Sequence, residues 1–378
     1  MLDFTFSEEQ ELFRQQVRRF VEAEILPIRR QCDELAEFPL PLFRKMGEMG
    51  FFAVRYPEDF GGASAGAVTL SILLEEVSRG DLALGAACLM QCLMGTDFIF
   101  RFGTDEHHER LLRPALRGEK IGTICMTEPD AGSDLGAIKT RAVKKGDQWI
   151  LNGQKNWVTL GTYADLFTVA AKTNPEAGFQ GIDIFLVEKD TPGFTVGRAM
   201  PKLGTRAAAN TEIYFEDCAV PRENLMGEEG SGFANLSNIL DEIRLQTGAL
   251  SLGLARAAFE DALRYSDQRI AFGRPIRKFQ GISFKLADMA TLMESARLQV
   301  YYAAWLIEQG KPCTKEAAMA KLVASEAANE IADLAMRIFA AYGFSMEYDV
   351  QRYFRDARFL IVGGGTSEIL RGVINREL

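Results

Sequence analysis

Apolar residues at helical spacing characterise the first third of the chain. Ser7 and Gln10 form a capping-box pattern, and apolar side chains then recur every three or four residues until Pro27 ends the pattern. The same period predicts further helices near residues 41–49, 67–79, 82–102 and 105–117. These segments predict an N-terminal α-helical domain over residues 1–121.

Short β-prone runs replace the helical period at about residue 122. The stretch AVKKGDQWILNGQKNWVTLG contains two turn signals, Lys-Gly-Asp and Asn-Gly, that separate such runs. Further runs follow up to Pro221: DLFTVAAKT, GIDIFLVEKD, GFTVGRAM and NTEIYFEDCAVP. They predict a middle β domain over residues 122–230 with a sandwich or barrel-like arrangement.

Helical spacing returns at Ser231 in longer segments. The predicted helices lie near residues 231–267, 283–309, 314–341, 348–357 and 366–376. They predict a C-terminal α-helical domain over residues 231–378. The fold class is therefore α+β multidomain, with the β domain between two helical domains.

The composition is that of a soluble globular protein, with 47% hydrophobic and 25% charged residues. A formal net charge of −9 argues against a nucleic-acid partner and against binding to anionic lipid. The apolar run from Leu82 to Phe100 contains Gln91, Thr96 and Asp97, which favour a buried helix over a membrane span. The chain begins without a signal-peptide or transit-peptide pattern, so a cytoplasmic protein or a processed organellar matrix form is expected.

Several classes of active site lack their characteristic residues. The two histidines, His107 and His108, are adjacent in a charged stretch and are interpreted as a surface pair, which excludes a histidine metal site and a Ser-His-Asp triad. The six cysteines form no C-x-x-C pair, so we expect reduced thiols and no metal. The chain also lacks the glycine motifs of nicotinamide-binding and P-loop proteins.

Three polar motifs remain as candidates for ligand binding. MTEPDAGSD, residues 126–134, could present hydroxyls and amides to a ligand or could be a plain turn. NWVTLG offers Trp157 as an aromatic platform. RIAFGRPIRKFQG is either a phosphate-binding cluster or a solvated basic face.

Together and in order, these segments resemble the acyl-CoA dehydrogenase family of flavoproteins over essentially the whole chain. The matching stretches are YPEDFGGA, MTEPDAGSD, LNGQKNWVT, KLGTRAAANTEIYFEDCAVP, RIAFGRPIRKFQG and RYFRDARFLIVGGGTSEILRGVI. The resemblance implies the acyl-CoA dehydrogenase fold, with a C-terminal four-helix bundle, bound FAD and a homotetramer built as a dimer of dimers. It also implies an electron-transferring flavoprotein as the electron acceptor.

The resemblance implies FAD contacts along several segments. Thr127 would face the flavin ring, Ser133 the phosphates or the substrate, and Trp157 and Thr159 would form a wall beside the flavin. Arg269 and Gln280 would reach the FAD of a neighbouring subunit, and Arg337 a phosphate. The complete predicted FAD set is Ile124, Cys125, Met126, Thr127, Gly132, Ser133, Trp157, Val158, Thr159, Arg269, Phe272, Gln280, Arg337, Ala340, Ala341, Thr366, Ser367 and Glu368.

The implied reaction is α,β-dehydrogenation of an acyl-CoA thioester, in which a carboxylate removes the α-proton and a hydride leaves Cβ for the flavin. Asp241 and Arg244 of the LDEIR segment would contact the CoA part. The complete predicted substrate set is Met90, Gln91, Met94, Ser133, Asp241, Arg244, Gly364 and Gly365.

The sequence departs from the family where the catalytic base should be. Most members carry a glutamate in a Tyr-Glu-Gly-Thr turn, where this chain has Gly364. A minority carry it one residue before the arginine of the LDEIR helix, where this chain has Ile243. Ala340 and Ala341 likewise replace a pair of glycines that the family often has beside FAD.

Four interpretations of the missing base stay open at this stage. Glu242 could act as a base, or it could face solvent or CoA. Asp97 lies on the helical face of Met90 and Met94 and could act as a base, or it could pair with Arg101. Alternatively the protein is a non-oxidising acyl-CoA lyase, or a flavin-binding subunit without activity. The leading hypothesis is an FAD-dependent dehydrogenase of a branched or alicyclic acyl-CoA.

Overall fold

The structure, a computed structural model, describes residues 5–378, and its first part is helical. The Ser7 hydroxyl accepts the backbone amide of Gln10, and the Gln10 side-chain oxygen accepts the backbone amide of Ser7, so the predicted capping box is confirmed. The α-helices of this part are α1 (Glu8–Phe20), α2 (Arg29–Leu35), α3 (Leu40–Glu48), α4 (Ala67–Gly80), α5 (Leu82–Leu89), α6 (Asp97–Phe102), α7 (Asp105–His107) and α8 (Arg113–Leu116).

The predicted helix at 82–102 is interrupted in the middle. A π-helical turn, Met90–Met94, follows α5, and Gly95 and Thr96 separate it from α6. Helix Leu82–Phe102 is long and apolar enough to cross a membrane by composition alone, but 94% of its most apolar window is buried inside the protein. It is therefore a core helix, in agreement with the prediction from its polar residues.

The middle part folds into a sheet that, within residues 5–378, has seven strands. Its order is β1-β4-β2-β3-β7-β6, with β5 on the other side of β4. Strand β4 is parallel to β1 and β2, and the remaining pairs are antiparallel. The strands are β1 (Gly122–Cys125), β2 (Arg141–Lys145), β3 (Gln148–Thr159), β4 (Leu166–Lys172), β5 (Ile182–Glu188), β6 (Phe194–Ala199) and β7 (Asn210–Pro221).

One of the two predicted turns is wrong. Gly146 and Asp147 do form the β2–β3 hairpin turn, but Asn152 and Gly153 lie inside β3. Gly153 has φ of 148° at a register shift between β3 and β7, so this Asn-Gly pair forms a β-bulge. A Cβ at Gly153 would lie 2.6 Å from the Thr140 Cα, which explains the need for glycine.

Long helices form the last part of the chain. The buried Asp183 carboxylate of β5 accepts the amides of Gly230 and Gly232, which fixes the start of the first of them against the sheet. A small hairpin, β8 (Ile270–Ala271) and β9 (Arg274–Pro275), separates the first two helices. The helices are α9 (Gly232–Gln268), α10 (Gln280–Glu308), α11 (Thr314–Phe339), α12 (Val350–Leu360) and α13 (Ser367–Arg376).

The α–β–α order predicted from sequence is therefore the observed architecture, and α9 packs along α4, α10 and α11. Because α9 touches both the N-terminal helices and the bundle, it brings the LDEIR segment close to elements from each part.

Candidate functional site

The turn between α12 and α13 is where the base would be expected. Gly364 and Gly365 have φ of 70° and 98°, which strongly favours glycine, and Gly364 is exposed. A Cβ at Gly364 would lie 2.7 Å from the Thr247 Oγ1 of α9. Thr247 is buried and donates its hydroxyl to the Ile243 carbonyl, so both positions without a carboxylate lie next to this threonine.

The backbone of this turn offers hydrogen-bond donors. Within the described residues, the amides of Gly364 and Gly365 donate to no acceptor. The buried Lys321 ammonium of α11 donates to the Gly365 carbonyl at 2.6 Å, and burial lowers the pKa of Lys321 to about 8. The Thr366 hydroxyl caps α13. Lys321 and the helix cap thus hold the turn in place, while the amides of Gly364 and Gly365 remain free to donate to a ligand oxygen.

The two candidate bases, Asp97 and Glu242, are joined by an arginine that the sequence interpretation missed. Arg55 donates to the Asp97 Oδ1 at 2.7 Å and to the Glu242 Oε2 at 2.8 Å. Asp97 also accepts a hydrogen bond from Arg101 at 2.6 Å. This is the i,i+4 ion pair that the sequence offers as the alternative to a role of Asp97 as a base. Only 2% of the Asp97 side chain and 13% of the Glu242 side chain are exposed.

Each of these carboxylates accepts charge-assisted hydrogen bonds from arginine. Burial raises the pKa of Glu242, although the facing Arg55 opposes the rise. Both oxygens of Asp97 are paired, one with Arg55 and the other with Arg101. The geometry therefore favours a structural role for this cluster, which ties the segment before YPEDFGGA to α6 and α9.

This interpretation predicts that Asp97→Asn and Glu242→Gln lower the melting temperature but leave flavin reduction by substrate within about threefold of wild type. The exposed Glu106→Gln is the matched control for loss of a carboxylate. A stopped-flow measurement of flavin absorbance decides the question. Because a general base contributes about 10²- to 10⁴-fold, a loss of that size in either variant would identify a displaced base.

The MTEPDAGSD loop is fixed to β3 by a buried ion pair. The Lys155 ammonium donates to the Glu128 carboxylate at 2.7 Å and to the Met126 carbonyl at 3.0 Å. Glu128 also accepts the backbone amides of Lys139 and Thr140, so its carboxylate connects the loop to the segment before β2. In this way the loop that was predicted to contact the flavin is held rigidly.

A second predicted flavin contact lies at the end of β3. Trp157 has φ of 60° and 56% of its surface is exposed, an unusual placement for a large aromatic residue. The Asn210 amide of β7 donates to the Trp157 carbonyl and to the Thr159 hydroxyl. The Thr123 hydroxyl of β1 donates to the Thr159 carbonyl. An exposed aromatic face beside a partly exposed hydroxyl suits a flat, polar ring system.

The wall predicted to contact the acyl group changes in one residue. Met94 is buried and Met90 partly buried on the π-helical turn. Gln91, predicted to contact substrate, instead has no exposed surface, and its amide bonds the backbone of Ala115, Lys120 and Gly122. We therefore remove Gln91 from the substrate set, because its side chain connects this helix to α8 and β1.

The predicted CoA-side residues lie together at the start of α9. Arg244 donates to the Asp241 carboxylate at 2.9 Å, and the Thr314 hydroxyl of α11 bonds the other oxygen at 2.5 Å. Both residues keep partly exposed side chains, which leaves them able to contact a ligand.

The remaining predicted FAD residues are dispersed over the C-terminal part. Arg269, Phe272 and Gln280 are exposed in or near the β8–β9 hairpin, and Phe272 has 95% of its surface exposed. Arg337, proposed to reach a phosphate, pairs with Asp333. Ala340 has φ of 53°, a conformation that favours glycine. One further expectation is wrong, because His107 is buried and bonds Thr104 and Asn224.

The residues present fit FAD on three observations: an exposed aromatic face at Trp157, the anchored MTEPDAGSD loop, and the capped start of α13 at Thr366. The N-terminus of a helix is a favourable place for a pyrophosphate. Ser133 and Gly132 are exposed in the same loop, and a Cβ at Gly132 would meet nothing within 4 Å. Among the described residues no cluster of potential metal ligands occurs, and the six cysteines are free thiols.

Comparison with known proteins identifies the class. Family models match residues 7–119 (acyl-CoA dehydrogenase, N-terminal domain), 123–218 (middle domain) and 230–378 (C-terminal domain). The chain belongs to the acyl-CoA dehydrogenase family. It is therefore an FAD-dependent oxidoreductase of the type that acts on CH–CH groups.

Individual relatives cover the chain from end to end. The chain is 48% identical to a benzylmalonyl-CoA dehydrogenase of Aromatoleum aromaticum over 378 residues, 100% of both chains. The butyryl-CoA dehydrogenase structure from Megasphaera elsdenii has a TM-score of 0.97 at 36% identity, covering 100% of this chain and 99% of that one. A chain from a structure of the electron transferring flavoprotein of Acidaminococcus fermentans has the same TM-score at 38% identity, with the same coverage.

Proposed function

We propose that the protein is a dehydrogenase of an α-branched acyl-CoA whose branch at Cα is a carboxylate, and that loss of this carboxylate as CO2 replaces the removal of an α-proton. The observation that carries the proposal is that neither usual base position holds a carboxylate, since position 364 is glycine and position 243 is isoleucine.

The arginine pairing of the two other candidate bases supports the proposal. Asp97 and Glu242 both accept Arg55, and a dehydrogenase that uses neither of them as a base needs another source for the electron pair. A substituted malonyl thioester contains that source itself. The relative named benzylmalonyl-CoA dehydrogenase supports this substrate class, because its named substrate carries a carboxylate on Cα.

The proposed reaction balances without an external base. The bond between Cα and the carboxylate breaks and releases CO2, while its electron pair forms the Cα=Cβ bond. The hydride on Cβ leaves with its electron pair. Bound FAD supplies the hydride acceptor. One carboxylate substrate and oxidised flavin thus give one enoyl-CoA, one CO2 and singly anionic reduced flavin.

The residues of this chain would assist in three ways. The free amides of Gly364 and Gly365 would donate to the thioester oxygen as negative charge develops on it. With glycine at position 364, no side-chain carboxylate of this turn would repel the α-carboxylate of the substrate. Met90 and Met94 would contact an apolar substituent on Cβ.

Electron transfer and assembly follow as parts of the same proposal. An electron-transferring flavoprotein would reoxidise the flavin. A homotetramer would cover the apolar residues exposed on α10 and nearby turns, which include Phe272, Phe284, Tyr302, Trp305 and Phe344. The cell compartment proposed is the cytoplasm or an organellar matrix.

Anaerobic titration of the FAD-loaded protein tests the function. Benzylmalonyl-CoA is expected to bleach the flavin, whereas 3-phenylpropanoyl-CoA, the same acyl group without the carboxylate, is expected to bind without bleaching it. Release of product with the flavin still oxidised would instead indicate a non-oxidising lyase. Binding of both thioesters without any product would indicate a subunit without activity. Either of these results would overturn the proposal.

A further inference from the structure

The polar group nearest the predicted flavin wall is the Thr159 hydroxyl, and its environment determines which way its proton points. Thr159 Oγ1 accepts a hydrogen bond from the Asn210 amide nitrogen at 3.1 Å. Among the described residues, no acceptor receives the Thr159 hydroxyl proton. Thr159 is partly exposed beside Trp157, so this proton is available to a bound ligand.

The orientation of Asn210 is itself determined by a lysine. The Lys202 ammonium donates to the Asn210 Oδ1 at 2.6 Å and also to the carbonyls of Thr205 and Ala208. An ammonium is a donor without lone pairs, so the amide must turn its oxygen toward Lys202. Its nitrogen then points toward Trp157 and Thr159, where both of its protons are used.

We propose that Lys202 and Asn210 are positioning residues that fix the Thr159 hydroxyl as a donor to an acceptor atom of the bound flavin. The chain of contacts runs from the ammonium to the amide oxygen, from the amide nitrogen to the hydroxyl oxygen, and from the hydroxyl proton to the cofactor. Each proton of the ammonium and of the Asn210 amide has its own acceptor, so the direction of these hydrogen bonds cannot reverse while Lys202 is charged.

The contacts of Lys202, which is partly buried, support a fixed position for its ammonium group. The charged group that faces it is Asp356 of α12, whose carboxylate accepts the Thr205 amide at 2.6 Å. Burial lowers the pKa of Lys202 to about 8, so the ammonium form, which donates the three hydrogen bonds, predominates below that pH. The loop that carries Lys202 is thereby attached to both the sheet and the helical bundle.

Asn210→Asp is the sharpest test, because the side chain keeps its shape and its bond to Lys202 but loses both amide protons. The Thr159 hydroxyl would then donate to the carboxylate introduced at position 210, and the flavin would lose a donor. We expect a shifted flavin absorbance spectrum, a lower flavin midpoint potential, and flavin reduction by substrate that is roughly tenfold slower.

A double-mutant cycle with Thr159→Val separates positioning from structure. Thr159→Val is expected to shift the spectrum and the potential in the same direction, and Asn210→Asp is expected to add little in that background. Lys202→Met should give a smaller shift of the same sign, while Lys144→Met, at an exposed site of the same sheet, should give none.

Three results would overturn the proposal: no change of spectrum in Thr159→Val, additive effects in the double variant, or loss of stability in Asn210→Asp with an unchanged potential. Lys202→Met keeps the test decisive where Asn210→Asp fails to fold. The spectrum and potential need FAD but no substrate, so they report on this proposal separately from the decarboxylation proposed above.

Discussion

Replacing Gly364 with glutamate is expected to slow flavin reduction by benzylmalonyl-CoA at least about a hundredfold. The variant would place a second carboxylate beside the α-carboxylate of the bound substrate, and the two negative charges would repel each other. The side chain also meets local obstacles, because Gly364 has φ of 70° and its Cβ would lie 2.7 Å from the Thr247 hydroxyl oxygen. The left-handed backbone alone costs about 1–2 kcal/mol.

Two companion variants separate charge from shape. Gly364→Ala adds the Cβ without the charge and should keep more activity than Gly364→Glu with the same substrate. Combining Gly364→Glu with Thr247→Ala removes the close contact and should raise flavin reduction by 3-phenylpropanoyl-CoA above wild type, because a base then faces Cα. Full activity of Gly364→Glu with benzylmalonyl-CoA, followed by anaerobic stopped-flow absorbance, would contradict the assignment.

Lys155→Met is expected to cause the second large effect, a loss of stability and of FAD binding. Lys155 has no exposed surface, and its removal leaves the Glu128 carboxylate buried without its cation. Breaking a buried pair in this way costs about 3–5 kcal/mol. The Met126 carbonyl also loses its donor, so the loop predicted to contact the flavin loosens. Thermal unfolding and FAD fluorescence measure the two effects.

The acid dependence of stability gives this prediction a second readout. Burial would raise the pKa of Glu128, but the Lys155 charge and hydrogen bonds outweigh burial and lower it. A lowered pKa in the folded state contributes stability above the pKa of the unfolded state, and the contribution disappears as the pH falls. The free energy of unfolding of Lys155→Met should therefore decrease less than that of wild type as the pH falls. Lys139→Met, which removes an exposed partner of Asp130, is the control and should match wild type in both assays.

Much of the fold could be predicted because its elements are long or strongly patterned. Helices α10 and α11 bury one face along many turns, so their period is visible in the sequence. Helix α9 is buried on all sides over residues 245–255, and its length and apolar composition reveal it instead. The Asn-Gly pair at 152–153 was misread because a bulge and a hairpin turn both require glycine. The Asn-Gly pair forms a bulge because β3 continues through it and pairs with β7 along its whole length. This pairing joins residues that are far apart in the sequence, so local sequence does not reveal it.

The candidate site could be predicted only in part. The empty base position at Gly364 is visible in sequence because it lies in a recognisable motif. The ion pairs of Arg55 are not visible, since they join residues 42 and 187 positions apart. His107 was placed on the surface because its neighbours are charged, but the side chain turns inward and bonds Asn224. Local sequence does not reveal which face of a short helix is covered.

The most direct test of the central claim is the ratio of CO2 released to flavin reduced. Benzylmalonyl-CoA labelled at the free carboxylate would be mixed anaerobically with a limiting amount of FAD-loaded protein, and labelled CO2 and bleached flavin would be counted in the same sample. One CO2 is expected for each flavin reduced, and no bleaching by 3-phenylpropanoyl-CoA. Bleaching with the carboxylate retained, or equal bleaching by both thioesters, would contradict the central claim.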